Sequence, residues 1–451
     1  MKDERNNSTE KLDSFQEANE SYDMREAIAE AQRCLNCKVP QCKKGCPIGN
    51  DIPEWIHELS KGNLGNAMQI INNRSNLPAV CGRVCAHERQ CEGNCVLGKR
   101  GRPVNIGKLE RFIADFDGDM SLTHEKIPEK TRGRVAVIGS GPSGLTIAGE
   151  LSRKGYAVEM FEMESEAGGV LMYGIPEYRL PKGVVRREIA RIEQLGVNIH
   201  LNTTIGKDLT IDSLFAQGFD AIFMATGTAK PKKLDIKGAD MPGVRMAVWL
   251  LRRISLWHEG SICRDEVPIR DGHRVYVIGG GNTAMDAARS AIRMGAGRVF
   301  VVYHRTIDEM TALRSEYEEA VSEGVEFIWE AEIEEIVGEE RVLKGVLIKQ
   351  KEKCHIEPAD LVVMAVGAVP ASRIVNSTIG IEVDEKGFVC TRDFPYGMTS
   401  RKGVFAGGDV AGRHATVVHA MQDAKRVAEG MEQYLDAVNV FSAINDFTSN
   451  R

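Results

Sequence analysis

Eight of the eleven cysteines in this 451-residue chain lie between Cys34 and Cys95, in two runs. The first is Cys34-x2-Cys37-x4-Cys42-x3-Cys46, followed by Pro47; the second is Cys81-x3-Cys85-x5-Cys91-x3-Cys95. An iron–sulfur cubane needs four thiolates converging from a loop-rich backbone, and a Cys-Pro ending marks runs whose fourth cysteine serves a second cluster. The middle spacing of four residues makes the first run a relative of the bacterial ferredoxin pattern rather than a copy. Structural zinc also uses short spacings, usually as paired Cys-x2-Cys, and only Cys34 and Cys37 are spaced so here. Redox centres fit better beside the nucleotide sites that follow, so two iron–sulfur clusters are expected. Cys263, Cys354 and Cys390 stand apart and read as core or surface thiols.

Two glycine turns carry the second kind of chemistry, each directly after a short apolar run. In Gly139-Ser140-Gly141-Pro142-Ser143-Gly144, the first glycine permits the tight turn and Gly141 lets the backbone approach a pyrophosphate. Gly144 lets helix and strand pack closely, and the phosphates sit on the helix N-terminus. Glu162, at the end of the next predicted strand, is placed to hold the ribose hydroxyls of an adenosine. The second turn is Gly279-Gly280-Gly281-Asn282-Thr283-Ala284. No acid follows its second strand; His304 and Arg305 stand there instead. An arginine pairs with a 2′-phosphate that an acid would repel, which favours NADPH over NADH. Arg314 is a weaker candidate for that phosphate, and a solvated surface charge is the plain alternative for Arg305.

The elements that must hold these groups form an internal repeat, RVAVIGSGPSG against RVYVIGGGNTA, each copy reading strand, turn, helix, strand. Val404 to Val410 is a short strand ending in Gly407-Gly408-Asp409. In two-dinucleotide oxidoreductases such a segment returns beside the first unit, bringing Gly408 and Asp409 to the FAD ribityl or pyrophosphate. Ala225-Thr226-Gly227 and Ala365-Val366-Gly367 end strands with a small-x-Gly turn, one in each half. The expected fold is α/β: two Rossmann-like dinucleotide-binding domains of glutathione-reductase-like architecture, preceded by an α-helical iron–sulfur domain. The expected boundaries are 1–130 for the helical domain, 131–266 and 376–451 for a discontinuous FAD domain, and 267–375 for an inserted NADPH domain. Helices are predicted over Asp23–Arg33, over Ile52–Ile71 as two pieces broken near Gly62 and Gly65, and near Lys108–Phe116. Residues up to about 20 are polar and read as poorly ordered.

The bulk properties exclude other classes. A formal net charge of -6 offers no basic footprint for nucleic acid. The N-terminus has no apolar core of a signal peptide, and no run approaches the roughly 18 apolar residues of a membrane span. A cytoplasmic protein without membrane or nucleic-acid partners is expected.

The motifs CLNCKVPQCKKGCP, CGRVCAHERQCEGNC, VNIGKLERF, VIGSGPSGL, GGVLMYGIPEYRLPK, VIGGGNTAMDAAR and FAGGDV together resemble the small (beta) subunit family of NADPH-dependent glutamate synthase. They are also similar to the large subunit of NADH-dependent ferredoxin:NADP oxidoreductase and to the N-terminal half of dihydropyrimidine dehydrogenase. The resemblance implies that Cys34, Cys37, Cys42 and Cys95 hold one [4Fe-4S] cluster. It implies that Cys46, Cys85, Cys91 and the non-cysteine ligand Glu110 hold the other, with Cys81 a bystander. It also implies that the Gly168–Lys182 segment, with Gly169 and Arg179, serves the cofactors, and that Thr416 and Val417 lie near the flavin ring. Three departures are visible: Ala86-His87 where Pro-Gln is more usual, Thr311 where proline is usual, and His419–Ala424 in place of a more glycine-rich helix start. The implied activity is hydride transfer from NADPH to FAD, then single electrons through two clusters, with no acid–base catalyst named. The implied partner is a large subunit making glutamate from glutamine and 2-oxoglutarate. The alternative is a ferredoxin-linked flavoprotein in an electron-bifurcating transhydrogenase.

Overall fold

The computed structural model describes residues 15–123, 125–232, 234–412 and 416–449, with side chains to residue 441. The chain divides into two compact units. The larger comprises Glu20–Met172, Lys182–Lys230 and Val369–Arg451. The smaller takes the described residues up to Asn19, then Tyr173–Pro181 and Pro231–Ala368.

The larger unit begins with the cysteine-bearing helices. Met24–Gln32 starts at a capping box in which Asp23 accepts from the Glu26 amide and Glu26 reaches back to the Asp23 amide. Ile52–Ser60 and Leu64–Asn72 are separate helices. The break falls at Gly62, which holds φ +82, whereas Gly65 lies within the second helix. Trp55, Ile56, Leu59, Met68 and Ile71 are buried between them and the Ile106–Met120 helix. The same unit carries a five-stranded sheet in the order Val404–Ala406, Ala221–Met224, Arg134–Ile138, Ala157–Phe161, Asn198–His200. Every neighbouring pair is parallel, with Ile138 opposite both Phe161 and Met224. The C-terminal strand therefore returns beside the first dinucleotide fold.

The smaller unit repeats the plan. Its parallel sheet runs Val244–Met246, Leu361–Met364, Arg274–Ile278, Arg298–Tyr303, Glu326–Trp329. A three-stranded antiparallel sheet, Ala331–Glu339, Val342–Gln350 and Lys353–Pro358, packs Ile333, Ile336, Val346 and Ile348 against Tyr276, Phe300 and Val302. Two expectations about this half need correction. The sheet begins at Val244 rather than after residue 266, because the Ala247–His258 helix buries Ala247, Leu250 and Ile254 against it. The polar N-terminal segment does not stay loose throughout: Phe15, 8% exposed, packs among the rings of Tyr178 and Trp257, and the Ala18 amide donates to Tyr178 O at 2.8 Å. Among the described residues no helix is long and apolar enough to cross a membrane.

Candidate functional site: two thiol sets and two dinucleotide turns

All eleven cysteines are free thiols, and the eight N-terminal ones gather in two groups, with Cys81 beside Cys46 and Cys85 in the second. Cys34, Cys37, Cys42 and Cys95 line one pocket walled by Ile52, Ile56, Val104 and Ile106. Burial pushes the Cys42 thiol up to about 11, and the neighbouring Cys34, Cys95 and Cys37 add to the rise. Four ionised thiols so close repel one another unless cationic iron sits among them, so the donor set fits a cubane. Cys46, Cys85, Cys91 and Glu110 form the second set. Burial raises Cys46 to about 12, with Glu110 contributing, and burial raises Cys91, with Glu110 and Cys46 contributing. Glu110 is 6% exposed, pushed up to about 8 by burial, and among the described residues receives one hydrogen bond, from Asn50 Nδ2 at 3.2 Å. A buried carboxylate with so little compensation is suited to a cation. Three more buried polar atoms in this helical region, Asn50 Oδ1, Trp55 Nε1 and His87 Nε2, have no partner among the described residues. The distal cysteines Cys263, Cys354 and Cys390 are exposed.

The first turn has the geometry a pyrophosphate needs. Gly139 holds φ +97, and a Cβ there would lie 2.7 Å from Ala225 O; a Cβ on Gly144 would collide with Gly139 O. Around Gly141 a Cβ would meet nothing within 4 Å, so the Pro142–Arg153 helix opens on bare backbone. Ser143, whose buried hydroxyl has no partner among the described residues, faces this opening, and Gly408 packs against it from the returning strand. Glu162 is 5% exposed and accepts from the amides of Ser140 and Glu164, each at 2.9 Å. Those bonds aim the carboxylate at the turn. Gly169 lies close to the backbone of Gly141, while Thr226 and Gly227 follow the Ala221–Met224 strand. Burial lifts the Asp409 carboxyl to about 6. Thr416 precedes the Val417–Ser449 helix, and its hydroxyl pairs with His419 Nδ1 at 2.7 Å. These donors and openings fit a flavin dinucleotide.

The second turn matches the first in plan. Gly279 holds φ +135, and a Cβ there would lie 2.5 Å from Ala365 O. Ala284, fully buried, takes the place of Gly144, so this helix accommodates a methyl group where the first cannot. Gly281 and the exposed Thr283 flank the opening, and Gly367 (φ +88) ends the Leu361–Met364 strand region. Asn282 is already engaged, its Oδ1 accepting from the Leu313 amide at 2.8 Å. Thr311, the departure from proline, donates its hydroxyl to Gly280 O at 3.1 Å and ties the same loop to the turn. Register shows what the sequence pattern missed. Ile138 pairs with Phe161 and Ile278 with Val302, so the counterpart of Glu162 is Tyr303. Its ring covers Gly280 and its hydroxyl donates to Glu309 O at 3.1 Å. His304 and Arg305 follow, both exposed, and the Arg305 guanidinium has no ion pair among the described residues. Arg314 is held by Glu318 at 2.9 Å.

Arg179 does not stand ready for a cofactor. It is buried and paired with Asp286 at 2.9 Å and Glu316 at 2.6 Å, inside a network that includes Arg289 and Glu323. Paired carboxylates stabilise its charge, and removing it would leave them buried alone. The Gly168–Lys182 segment is shared out: Gly168–Met172 belongs to the larger unit and Tyr173–Pro181 to the smaller.

Two parallel dinucleotide folds behind a thiol-bearing helical region define a pyridine nucleotide oxidoreductase with an iron–sulfur module. Residues 133–424 match the pyridine nucleotide-disulphide oxidoreductase family, and residues 11–122 match dihydropyrimidine dehydrogenase domain II, 4Fe-4S cluster. The chain is 36% identical to the glutamate synthase [NADPH] small chain of Halomonas elongata, covering 94% of this chain and 93% of that one. It is 33% identical to the Escherichia coli protein of the same description, covering 94% of each. The chain belongs to the glutamate synthase small-chain family. Among solved structures, Mycobacterium tuberculosis FprA in complex with NADPH aligns at TM-score 0.56 and 19% identity, over 69% of this chain and 86% of that one. Lactococcus lactis thioredoxin reductase aligns at TM-score 0.53 and 23% identity, over 68% and 99%. Both likenesses concern the fold.

Proposed function

We propose that this chain is the NADPH-oxidising, electron-input subunit of a glutamate synthase. The first turn would hold FAD, the second NADPH and the two thiol sets two [4Fe-4S] clusters, groups that would supply hydride and single-electron chemistry. The chain's own residues bind and orient. Gly141 and the helix it opens receive the flavin pyrophosphate, and Glu162 holds its adenosine ribose. Arg305 supplies the cation that selects a 2′-phosphate. Cys34, Cys37, Cys42 and Cys95 ligate one cluster; Cys46, Cys85, Cys91 and Glu110 ligate the other. In domain terms, the helices to about residue 130 carry the clusters, the first sheet with its returning C-terminal strand carries FAD, and the second sheet carries NADPH.

What supports this reading is that two thiol groups, the second with Glu110 beside it, and a flavin-type turn lie in one compact unit. The near end-to-end likeness to glutamate synthase small chains favours this reading over the bifurcating transhydrogenase. A separate large subunit then receives the electrons and makes glutamate from glutamine and 2-oxoglutarate. Anaerobic affinity capture from native extract, with the partner identified by mass, tests it. A large amidotransferase-type chain is expected; a small ferredoxin-reductase-like flavoprotein would overturn the assignment.

A further inference from the structure

The two dinucleotide turns differ at the point where a phosphate would enter. A Cβ built on Gly141 would meet nothing within 4 Å, whereas one on Gly281 would meet a single atom among the described residues, Thr311 Oγ1 at 3.5 Å. Thr311 is exposed, in the loop that joins the Arg298–Tyr303 strand to the Arg314–Ser322 helix. Hydrogen bonds hold that loop to the turn. The Thr311 hydroxyl donates to Gly280 O at 3.1 Å, and the Ala312 amide donates to the same oxygen at 2.9 Å. The Leu313 amide donates to Asn282 Oδ1 at 2.8 Å. Ala312 and Leu313 are buried, so the placement of the loop does not rest on Thr311 alone. A hydroxyl rotates freely and has one proton to place. On Gly280 O that proton makes a neutral hydrogen bond; on a phosphate oxygen it makes a charge-assisted one, roughly twice as strong. When it turns away, Gly280 O keeps the Ala312 amide, and no acceptor is left bare. The proline that the family pattern would place here offers no such proton.

We propose that Thr311 is a further binding residue for the nicotinamide nucleotide: its hydroxyl leaves Gly280 O and donates to an oxygen of the incoming pyrophosphate. This rests on the reading that the second turn receives NADPH. The Asn282–Arg293 helix, whose N-cap is Gly281, offers its first backbone amides to the same negative charge. Arg305 serves a different group, the 2′-phosphate. Thr311 thus adds affinity for the part of the cofactor that NADPH and NADH share, and Arg305 supplies the choice between them.

The experiment titrates the full cofactor-loaded chain by calorimetry, under anaerobic conditions, with NADP+ and with 2′-AMP, which carries the 2′-phosphate and no pyrophosphate. Thr311→Val removes the hydroxyl and keeps the shape. It is expected to weaken NADP+ about tenfold, the scale of one hydrogen bond to a charged group, and to leave 2′-AMP unchanged. Thr311→Ser keeps a hydroxyl and should bind NADP+ as the unsubstituted chain does. Equal losses for both ligands in Thr311→Val would mean that Thr311 only shapes the loop, and an unchanged NADP+ affinity would mean that it does not touch the cofactor. Either result overturns the proposal, as does a serine variant no better than the valine one. Undiminished binding of 2′-AMP by Arg305→Glu would instead strike the NADPH reading of the second turn.

Discussion

The side chain of Gln422 donates to the carbonyl oxygen of Pro47 at 2.6 Å. Pro47 follows Cys46 in sequence, and the next residue after Gln422, Asp423, accepts from the Gly408 amide at 2.7 Å and from the Tyr396 hydroxyl at 2.8 Å. With Met421 against Cys81, three consecutive residues of one helix reach both the thiol region and the strand end that packs on Ser143. A helix start read in sequence as a departure from a glycine-rich pattern is thus a connector within the larger unit. Replacing Gln422 by alanine leaves the Pro47 carbonyl without this donor and is expected to cost roughly 1–3 kcal/mol. Denaturant unfolding of the complete chain measures it; an unchanged midpoint would mean that the bond contributes nothing.

The glycines of the first turn separate folding from flavin binding. Gly144→Ala drives a methyl group into Gly139 O, so the protein itself is destabilised and loses flavin. Gly141→Ala meets no neighbouring atom, so the flavin-stripped protein keeps its stability while FAD affinity falls. Thermal unfolding of the stripped protein together with FAD titration distinguishes the two. Equal behaviour of both variants would refute the division of roles.

Arg305 is expected to act on one cofactor and not its close relative. Arg305→Glu should weaken NADPH by roughly 10- to 100-fold, the worth of a charge-assisted hydrogen bond, and change NADH little. Steady-state KM for the two cofactors supplies the readout, and a parallel loss for both would assign Arg305 to the fold.

Iron content checks the ligand sets one at a time. Cys37→Ala should remove about one cubane of iron, and Cys46→Ala about one, with the double variant losing about two. The distal Cys354→Ala should lose none. Full iron in either single variant contradicts its place in a set.

Asp409 gives a pH dependence with a definite sign. Burial raises its carboxyl from 3.8 to about 6, so between those values the folded chain holds a proton that the unfolded chain has released. Stability of the flavin-stripped protein therefore falls as pH rises through that window, by up to about 3 kcal/mol, and the penalty persists above it. Asp409→Asn should abolish that share of the slope. Unfolding midpoints of the two proteins at acid and neutral pH should converge below the window and separate above it, with the variant the more stable.

The parts of the site that were legible in sequence are those where one local constraint dictates residue type. Gly139 and Gly279 need a positive φ against a carbonyl, and Glu162 stands one residue beyond a strand whose end the turn defines. Cysteine spacing likewise exposed the two thiol runs, although spacing alone did not divide them between clusters. What stayed hidden depends on distant partners. Arg179 looked available because Asp286 lies 107 residues away in the chain. Tyr303 went unnoticed because only strand register, not the count of residues, shows that it holds the place equivalent to Glu162 in the second fold. Phe15 was lost in a polar tail because a single aromatic has no period, and its neighbours Tyr178 and Trp257 come from two other segments.

The threading of the smaller unit from three separated segments has a consequence for its birth on the ribosome. Phe15 is made long before its ring neighbour Trp257 and its unit's strand Leu361–Met364. Domains ordinarily fold from the N-terminus as they are synthesised. Here the Phe15 segment must wait for those partners while the cysteine helices that follow it are already complete. Iron delivery thus has a window during translation in which those helices exist and the second nucleotide fold does not.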